Sequence, residues 1–158
     1  MPNFILPPLY TWFFLFVEPI SALVGAYFAH FKQEDYLQMT HAASATGAIS
    51  QSTSIVLSQL ANLYLLFAIN EALVLRSTPD LRVWKTVLIG LLIADFGHLY
   101  SVKSLGLGLY LQPWSWNAMH WGNIGFVYAG ASRIAFLSGL GINSKRSQET
   151  AAAKLKSK

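Results

Sequence analysis

The stretch IVLSQLANLYLLFAINEALVL (residues 55–75), followed by RSTPDLR (76–82) and VWKTVLIGLLIADFGHLYSV (83–102), decides the fold class of this chain. A helix needs about 20 mainly apolar residues to cross the hydrocarbon core of a bilayer, and both long runs meet that length. Pro79 and Asp80 between them predict a tight turn, with Asp80 available to cap the second helix. We therefore predict two membrane spans that form an antiparallel pair.

Two further apolar segments flank this pair, over residues 9–31 and 117–140. The chain is 54% hydrophobic and only 11% charged, whereas an ordinary soluble domain is roughly 25% charged. These features predict an all-α fold, a four-helix transmembrane bundle over residues 1–144 with a basic tail over 145–158. The segment 32–54 is predicted to be a polar loop.

Composition also excludes several kinds of chemistry. The chain has no cysteine, which rules out disulfides, thiolate metal ligands and a cysteine nucleophile. We find no phosphate-binding glycine loop, no serine elbow and no ligand spacing typical of a metal site, so no cofactor and no metal are expected. The basic residues are scattered rather than gathered on one face, which argues against nucleic acid as a partner.

The basic residues predict the orientation of the bundle. Of the 11 Lys and Arg residues, three lie at the middle turn and five in the tail, whereas the other two loops hold only Lys32 and Lys103. The positive-inside rule then places both termini and the middle turn in the cytoplasm.

The tail ends in KLKSK, with Lys154 and Lys156 in the K-x-K-x-x arrangement of the dilysine signal that coat proteins read on membrane proteins of the endoplasmic reticulum. We expect a multi-pass protein of that membrane. A solvated basic tail near anionic lipid is the alternative interpretation.

Ionisable residues inside the spans mark the candidate site, because each costs about 2.5 to 3.5 kcal/mol to insert in hydrocarbon. Glu18 is predicted near the midplane, Asp95 and His98 in the far half, and Glu71 with Arg133 in the cytoplasmic half. We expect Glu71 and Arg133 to form a structural ion pair, since removal of either would strand the other charge. The alternative is a catalytic role for Glu71.

Polar residues cluster on predicted inward faces. Asp95 and His98 are about 60° apart on one helix, and Gln59, Asn62 and Asn70 fall within an arc of about 80° on another. A desolvated carboxylic acid beside a wetter, basic group is the usual arrangement for moving protons on a substrate. Interhelical hydrogen bonds and an interfacial aromatic belt are the alternatives. The predicted substrate-binding residues are Asn62, Asn70, Glu71, Trp116, Asn117, His120, Trp121, Asn123 and Tyr128.

The chain resembles the EXPERA superfamily of four-helix membrane proteins, which includes emopamil-binding sterol isomerases and the sigma-2 receptor type. The likeness rests on Glu18-Pro19, on Asn70-Glu71-Ala72-Leu73, on residues 95–100, and on Trp116-Asn117 with Trp121-Gly122-Asn123. More closely, EPISALVGAYFAH, LANLYLLFAINEALVLR, DLRVWKTVL, ADFGHLYS and WGNIGFVYAGASRIAFL resemble small fungal membrane proteins found beside polyketide and meroterpenoid biosynthetic genes. Some of that group are assigned as epoxide hydrolases or cyclases, as in aurovertin-type and citreoviridin-type pathways.

This resemblance implies acid–base chemistry on a lipophilic polyketide or terpenoid intermediate, without a cofactor. It implies catalytic roles for Glu18 and Asp95, with His98 as neighbour or relay. We expect Asp95 to protonate an epoxide oxygen and Glu18 to activate the attacking water or hydroxyl. The alternatives are a non-catalytic lipid-binding or sterol-binding protein of the sigma-2 type, a double-bond isomerase, and a structural subunit. The oligomeric state is open, with a homodimer as one option.

Overall fold

The computed structural model describes residues 4–106, 108–112, 114 and 118–144, with side chains for 6–106, 110–112, 114, 125 and 129–142. The predicted site residues Trp116 and Asn117 lie outside the described residues, as do Lys154 and Lys156 of the tail. The side chains of four other predicted residues on the last helix also lie outside the described part: His120, Trp121, Asn123 and Tyr128.

The chain is built from helices, as predicted. In chain order they are α1 (Pro8–Phe31), α2 (Gln33–His41), α3 (Gln51–Ser77), α4 (Leu81–Ser101), α5 (Gly108–Leu111) and α6 (Ala118–Leu137). Three of them, α1, α3 and α4, are long and apolar enough to cross a membrane. Their large exposed side chains, such as Ile20, Leu66 and Ile93, are apolar and suit a lipid environment.

The segment predicted as a polar loop contains helix α2, and α3 begins earlier than its apolar run. Lys32 leaves the helical conformation, with φ −130° and ψ 53°, and α2 then starts with Glu34 and Asp35 in its first turn, where negative charge is favoured. The Ser50 side chain caps α3 by accepting a hydrogen bond from the Thr53 amide at 3.1 Å. A cap of this kind lets the polar residues 51–54 join the helix.

The tight turn before α4 has the predicted cap, because Asp80 accepts a hydrogen bond from the Arg82 amide at 2.8 Å. The helix pairing differs from the expectation, however. The most extensive packing is between α1 and α3 and between α4 and α6, rather than between α3 and α4. Small residues allow these two pairs of helices to pack closely. Gly25 of α1 lies against the Tyr64 ring of α3, and Gly130 of α6 lies against Leu92 of α4.

One apolar layer joins α1, α3, α4 and α6. The Phe136 ring is fully buried and contacts the rings of Tyr10, Phe14 and Trp84, with centroids 5.4, 5.7 and 5.9 Å away. Below, this set is called the aromatic layer: Tyr10, Phe14, Leu75, Trp84, Leu88, Leu91 and Phe136.

The two ends of the described chain meet beside this layer. Strand β1 (Phe4–Ile5) pairs antiparallel with β2 (Asn143–Ser144). The turn that leads from α6 to β2 has Gly139 at φ +85°, a left-handed conformation that favours glycine, and the Leu140 amide donates to the Ala135 carbonyl at 3.0 Å. The Tyr10 hydroxyl donates to the Leu140 carbonyl at 3.1 Å. The start of α1 and the end of α6 are therefore held together.

Candidate functional site

A π-helical turn, Phe13–Val17, lies directly before Glu18 in α1. Pro19 has no amide hydrogen and cannot donate to the Leu15 carbonyl four residues earlier. The wider π turn accommodates the proline ring without breaking the helix. Glu18, which is buried, therefore lies directly after an irregular turn of α1.

The Leu15 carbonyl left without its helical donor is satisfied from another helix. The Arg76 guanidinium near the end of α3 donates a hydrogen bond to it. The same guanidinium lies over the Phe16 ring, with Cζ 4.5 Å from the ring centroid. Pro19 therefore leaves the Leu15 carbonyl without its helical hydrogen bond, and Arg76 donates to that carbonyl and so joins α3 to α1.

A second π turn, Asn70–Val74, holds Glu71 in α3. It packs against the π turn of α1. Single π turns within α-helices often occur at functional sites, because they aim side chains differently from a regular helix. Here the two π turns meet, and each presents a glutamate to the centre of the bundle.

Four ionisable residues meet at this point, one from each of α1, α3, α4 and α6. The Arg133 Nη2 atom lies 2.9 Å from Glu71 Oε1 and 3.1 Å from Glu18 Oε1, and Nη1 donates a short hydrogen bond to Asp95 Oδ2. We call these residues the arginine cluster: Glu18, Glu71, Asp95 and Arg133.

The arginine cluster is buried, with exposed fractions of 8% for Glu18, 2% for Glu71, 5% for Asp95 and 4% for Arg133. Desolvating charges is costly unless each is paired and hydrogen-bonded. One guanidinium faces three carboxyl groups, so a fully ionised cluster would carry a net charge of −2. The arrangement therefore holds more acid groups than a structural ion pair needs.

Some hydrogen-bonding positions of the cluster are unfilled. Neither Glu18 oxygen accepts a hydrogen bond from an N–H group or an alcohol among the described residues, and Arg133 Nε has no acceptor there. The Glu18 and Glu71 carboxyl groups lie close enough to hydrogen-bond to each other when one carries a proton. Glu71 and Asp95, by contrast, each accept a hydrogen bond from Arg133.

The aromatic layer closes one side of the arginine cluster. On each of the four helices that carry the arginine cluster, a buried apolar residue of the aromatic layer lies three or four positions from the cluster residue. This separation is about one helical turn. The four pairs are Phe14 with Glu18, Leu75 with Glu71, Leu91 with Asp95, and Phe136 with Arg133. The aromatic layer therefore lies between the arginine cluster and the end of the bundle where Tyr10 bonds to Leu140 and β1 pairs with β2.

The structure brings together the residues that the sequence singled out by charge, but in a different grouping. Glu71 and Arg133 are in contact, as expected from their common depth. Asp95 was expected to group with His98 in the far half of the membrane, apart from Glu71 and Arg133. That grouping is wrong, because Asp95 contacts Arg133 in one cluster. The long arginine side chain spans the difference in depth that counting from the helix ends predicts.

The expected position of Asn62 is also wrong. Asn62 and Gln59 are exposed on the outside of α3 rather than facing inward, and Asn70 is half-buried. The buried stripe of α3 instead consists of Leu57, Ala61, Tyr64, Ala68, Glu71 and Leu75, at intervals of three and four residues. Asn62 is one residue off this stripe, a rotation of about 100°, which places it on the outer surface.

The remaining predicted residue on α4, His98, is half-buried one turn beyond Asp95. Two features of the surroundings were not predicted from the sequence. One is the contact between Arg76 and Leu15, for which the signal was a proline inside an apolar span. The other is the hydrogen bond of 2.9 Å between the Tyr36 and Tyr64 hydroxyls, which fixes α2 to α3. Burial and the Tyr64 side chain raise the pKa of Tyr36.

Comparison with known proteins gives one positive finding. No curated protein and no solved structure matches the chain. A family model described as "Domain of unknown function (DUF7704)" matches residues 3–143, which include every helix that the structure describes and the whole arginine cluster. The chain therefore belongs to the DUF7704 family.

Proposed function

We propose that this protein is a membrane-embedded acid–base enzyme that opens an epoxide of a lipophilic polyketide or terpenoid intermediate, as in fungal secondary metabolism. One observation carries the proposal. Three buried carboxyl groups surround a single guanidinium at a place where two helices are irregular. The choice of epoxide opening comes from the resemblance to the fungal group described above.

Charge balance indicates that some carboxyl groups of the arginine cluster are protonated. The positive charge of Arg133 compensates one carboxylate, and additional net charge is strongly disfavoured in a low-dielectric interior. Neutrality therefore requires two protons on the three carboxyl groups. A neutral carboxylic acid beside an ionised one provides an acid and a base in the same site.

The contacts favour particular roles for the carboxyl groups. Asp95 accepts a hydrogen bond from Nη1 of Arg133, a nitrogen that it does not share with the glutamates. This contact favours the ionised form of Asp95 and a role as general base. Glu18 and Glu71 share the other nitrogen, so their contact favours a shared proton and a role as general acid. This proposal reverses the roles that we expected for Glu18 and Asp95 from the sequence.

The reaction balances with these groups alone. Glu18 donates its proton to the epoxide oxygen as the carbon–oxygen bond breaks. Asp95 accepts a proton from the attacking water or internal hydroxyl as the new carbon–oxygen bond forms. Return of one proton from Asp95 to Glu18 restores the starting state. The resemblance suggests His98, one turn beyond Asp95, as a neighbour or relay in this step. No oxidant, reductant or cofactor is consumed.

We propose that α6 is the fourth span and that both termini are cytoplasmic. Pairing of β1 with β2 supports this arrangement, since only an even number of crossings returns a chain to the same side of a bilayer. The basic residues at the middle turn and in the tail favour the cytoplasm for that side. The Lys154 and Lys156 signal would then face coat proteins, in keeping with the endoplasmic reticulum membrane.

Mass spectrometry of lipophilic metabolites tests the function. The host is a fungal strain that makes the upstream polyketide or terpenoid, with wild type compared against Glu18→Gln and Asp95→Asn. Glu34→Gln on the exposed surface of α2 is the matched control. We expect a product with wild type and the control that is absent with both cluster variants at equal protein levels. Identical profiles for all four proteins would refute the proposal and favour a lipid-binding protein.

A further inference from the structure

The contacts between α1 and α3 show that these two helices are antiparallel. Gly25 lies against the Tyr64 ring, and nearer the start of α1 the Leu15 carbonyl accepts the hydrogen bond from Arg76 near the end of α3. Along both helices, the glutamate of the arginine cluster lies between these two contacts. The two glutamates therefore meet in a stretch that has an interhelical contact at each end.

The contacts restrain the two helices in different ways. The contact at Gly25 and those in the aromatic layer are apolar, and apolar attraction has no preferred direction. The contact at Arg76 is a hydrogen bond to one backbone carbonyl, which has a preferred distance and direction. The Phe16 ring holds the same guanidinium, with Cζ 4.5 Å from its centroid. The hydrogen bond from Arg76 to Leu15 therefore restrains the position of α3 along α1.

This hydrogen bond acts close to both glutamates. Leu15 is three residues before Glu18 and Arg76 is five residues after Glu71, which is about 5 and about 8 Å along the helix axes. Leu15 belongs to the π turn of α1, and Arg76 follows the π turn of α3 by two residues. A displacement of one π turn along the other would move its glutamate by a similar distance.

The Glu18 carboxyl group depends on the backbone for its position. In the described part of the chain, neither of its oxygens accepts a hydrogen bond from an N–H group or an alcohol, whereas Glu71 accepts one from Arg133. Glu18 is close enough to Glu71 for the two carboxyl groups to share a proton. The separation of these groups is therefore set by the alignment of α1 and α3.

We propose that Arg76 is a positioning residue that sets the separation of the Glu18 and Glu71 carboxyl groups and so holds the proton that they share. Arg76 acts through the Leu15 carbonyl and the two π turns, since its own side chain is exposed outside the arginine cluster. Its role in catalysis rests on the proposed function, in which this proton is the one that Glu18 donates to the epoxide.

Infrared spectroscopy of the shared carboxylic acid tests the positioning without a substrate. Its C=O stretching band is identified by difference from Glu18→Gln, in a maltoside detergent that has no carbonyl group. We expect Arg76→Met to move this band to higher frequency, because a carboxylic acid in a weaker hydrogen bond has a stiffer C=O bond. The band of that variant is identified in the same way from the double variant. Arg76→Lys keeps a donor and a cation beside Phe16, so its band should stay near that of wild type.

Two controls separate positioning from a general loss of stability. Tyr36→Phe also removes one hydrogen bond to α3, so its cost to stability should be similar to that of Arg76→Met. Arg82→Met removes an arginine whose side chain is 92% exposed. Both controls should keep the band at the wild-type frequency. A wild-type band in Arg76→Met would overturn the proposal, as would a shift of equal size in Arg76→Lys or in either control.

Turnover gives a second measurement. Arg76→Met should lower kcat about 10-fold to 100-fold with little change in KM, because it displaces an acid group and lies outside the arginine cluster. An unchanged kcat in Arg76→Met beside an inactive Glu18→Gln would overturn the positioning role alone. Full activity of Glu18→Gln would instead refute the proposed enzyme, while the infrared bands would still show whether Arg76 aligns the carboxyl groups.

Discussion

Glu18 and Glu71 contact the same guanidinium nitrogen of Arg133, at 3.1 and 2.9 Å, although they belong to different helices. Each glutamate lies at a π turn, and the two π turns pack together. The local irregularity of both helices therefore brings two acid groups to one cation. Asp95 reaches the other nitrogen from α4 and completes a cluster to which α1, α3, α4 and α6 all contribute.

Arg133 should be the most sensitive position for stability. Arg133→Met leaves three buried carboxyl groups without a cation, and loss of one partner from a buried ion pair costs about 3 to 5 kcal/mol. We expect the largest fall in unfolding temperature in detergent for this variant. Arg82→Met is the control, because the Arg82 side chain is 92% exposed and its pair with Asp80 spans 3.6 Å. Equal effects of the two changes would contradict the account of the cluster.

Pro19 and Arg76 should be energetically linked. Arg76→Met removes the donor to the Leu15 carbonyl, and we expect it to destabilise the protein by about 1 kcal/mol. In a Pro19→Ala background the backbone amide of the introduced alanine can donate to that carbonyl itself, so the same change should cost less. A double-mutant cycle on unfolding measures this difference. Additive effects of the two substitutions would show that the carbonyl does not link them.

The Tyr36–Tyr64 contact predicts a loss of stability at alkaline pH. Burial raises the pKa of Tyr36 above the ordinary tyrosine value of about 10, so the folded state retains its proton when the unfolded state releases it. This contribution is complete below pH 10 and is lost as the pH rises further. Unfolding temperatures between pH 8 and 11 should fall less steeply in Tyr36→Phe than in wild type. Tyr100→Phe, an exposed control, should follow wild type.

The aromatic layer should behave as a packed core. Phe136 is fully buried among three rings, and truncation of such a residue costs about 3 to 5 kcal/mol. We expect Phe136→Ala to lower the unfolding temperature strongly. Ile93→Ala, on the exposed surface of α4, should change it little because no protein cavity forms there. A mild effect at Phe136 would indicate a loosely packed layer.

Charge and hydropathy were enough to predict the helical fold and the residues of the arginine cluster. Helix lengths and the positions of Glu18, Glu71, Asp95 and Arg133 follow from the cost of placing polar groups in hydrocarbon. The grouping of Asp95 with Arg133 could not be predicted, since depth counted from helix ends ignores side-chain length and π turns. An arginine side chain can span about one helical turn, and a π turn changes the helical register of the residues that follow it.

The outward position of Asn62 illustrates a different limit. Three amides on one arc of α3 indicated an inward polar face, but the buried stripe follows Ala61, Tyr64 and Ala68. Small and aromatic residues fill the close contact with α1, where Gly25 meets the Tyr64 ring. Steric fit between two helices decides which face turns inward, and the pattern of a single helix does not contain that information.

The initial rate of product formation by Glu18→Gln, per folded molecule, tests the central claim most directly. Neither oxygen of Glu18 accepts a hydrogen bond from an N–H group or an alcohol in the described part of the chain, so the amide should leave the fold intact. It cannot donate an acidic proton, and the account predicts a rate at least about 100-fold below wild type. A rate within about twofold of wild type, for a protein with unchanged unfolding temperature, would contradict a catalytic arginine cluster.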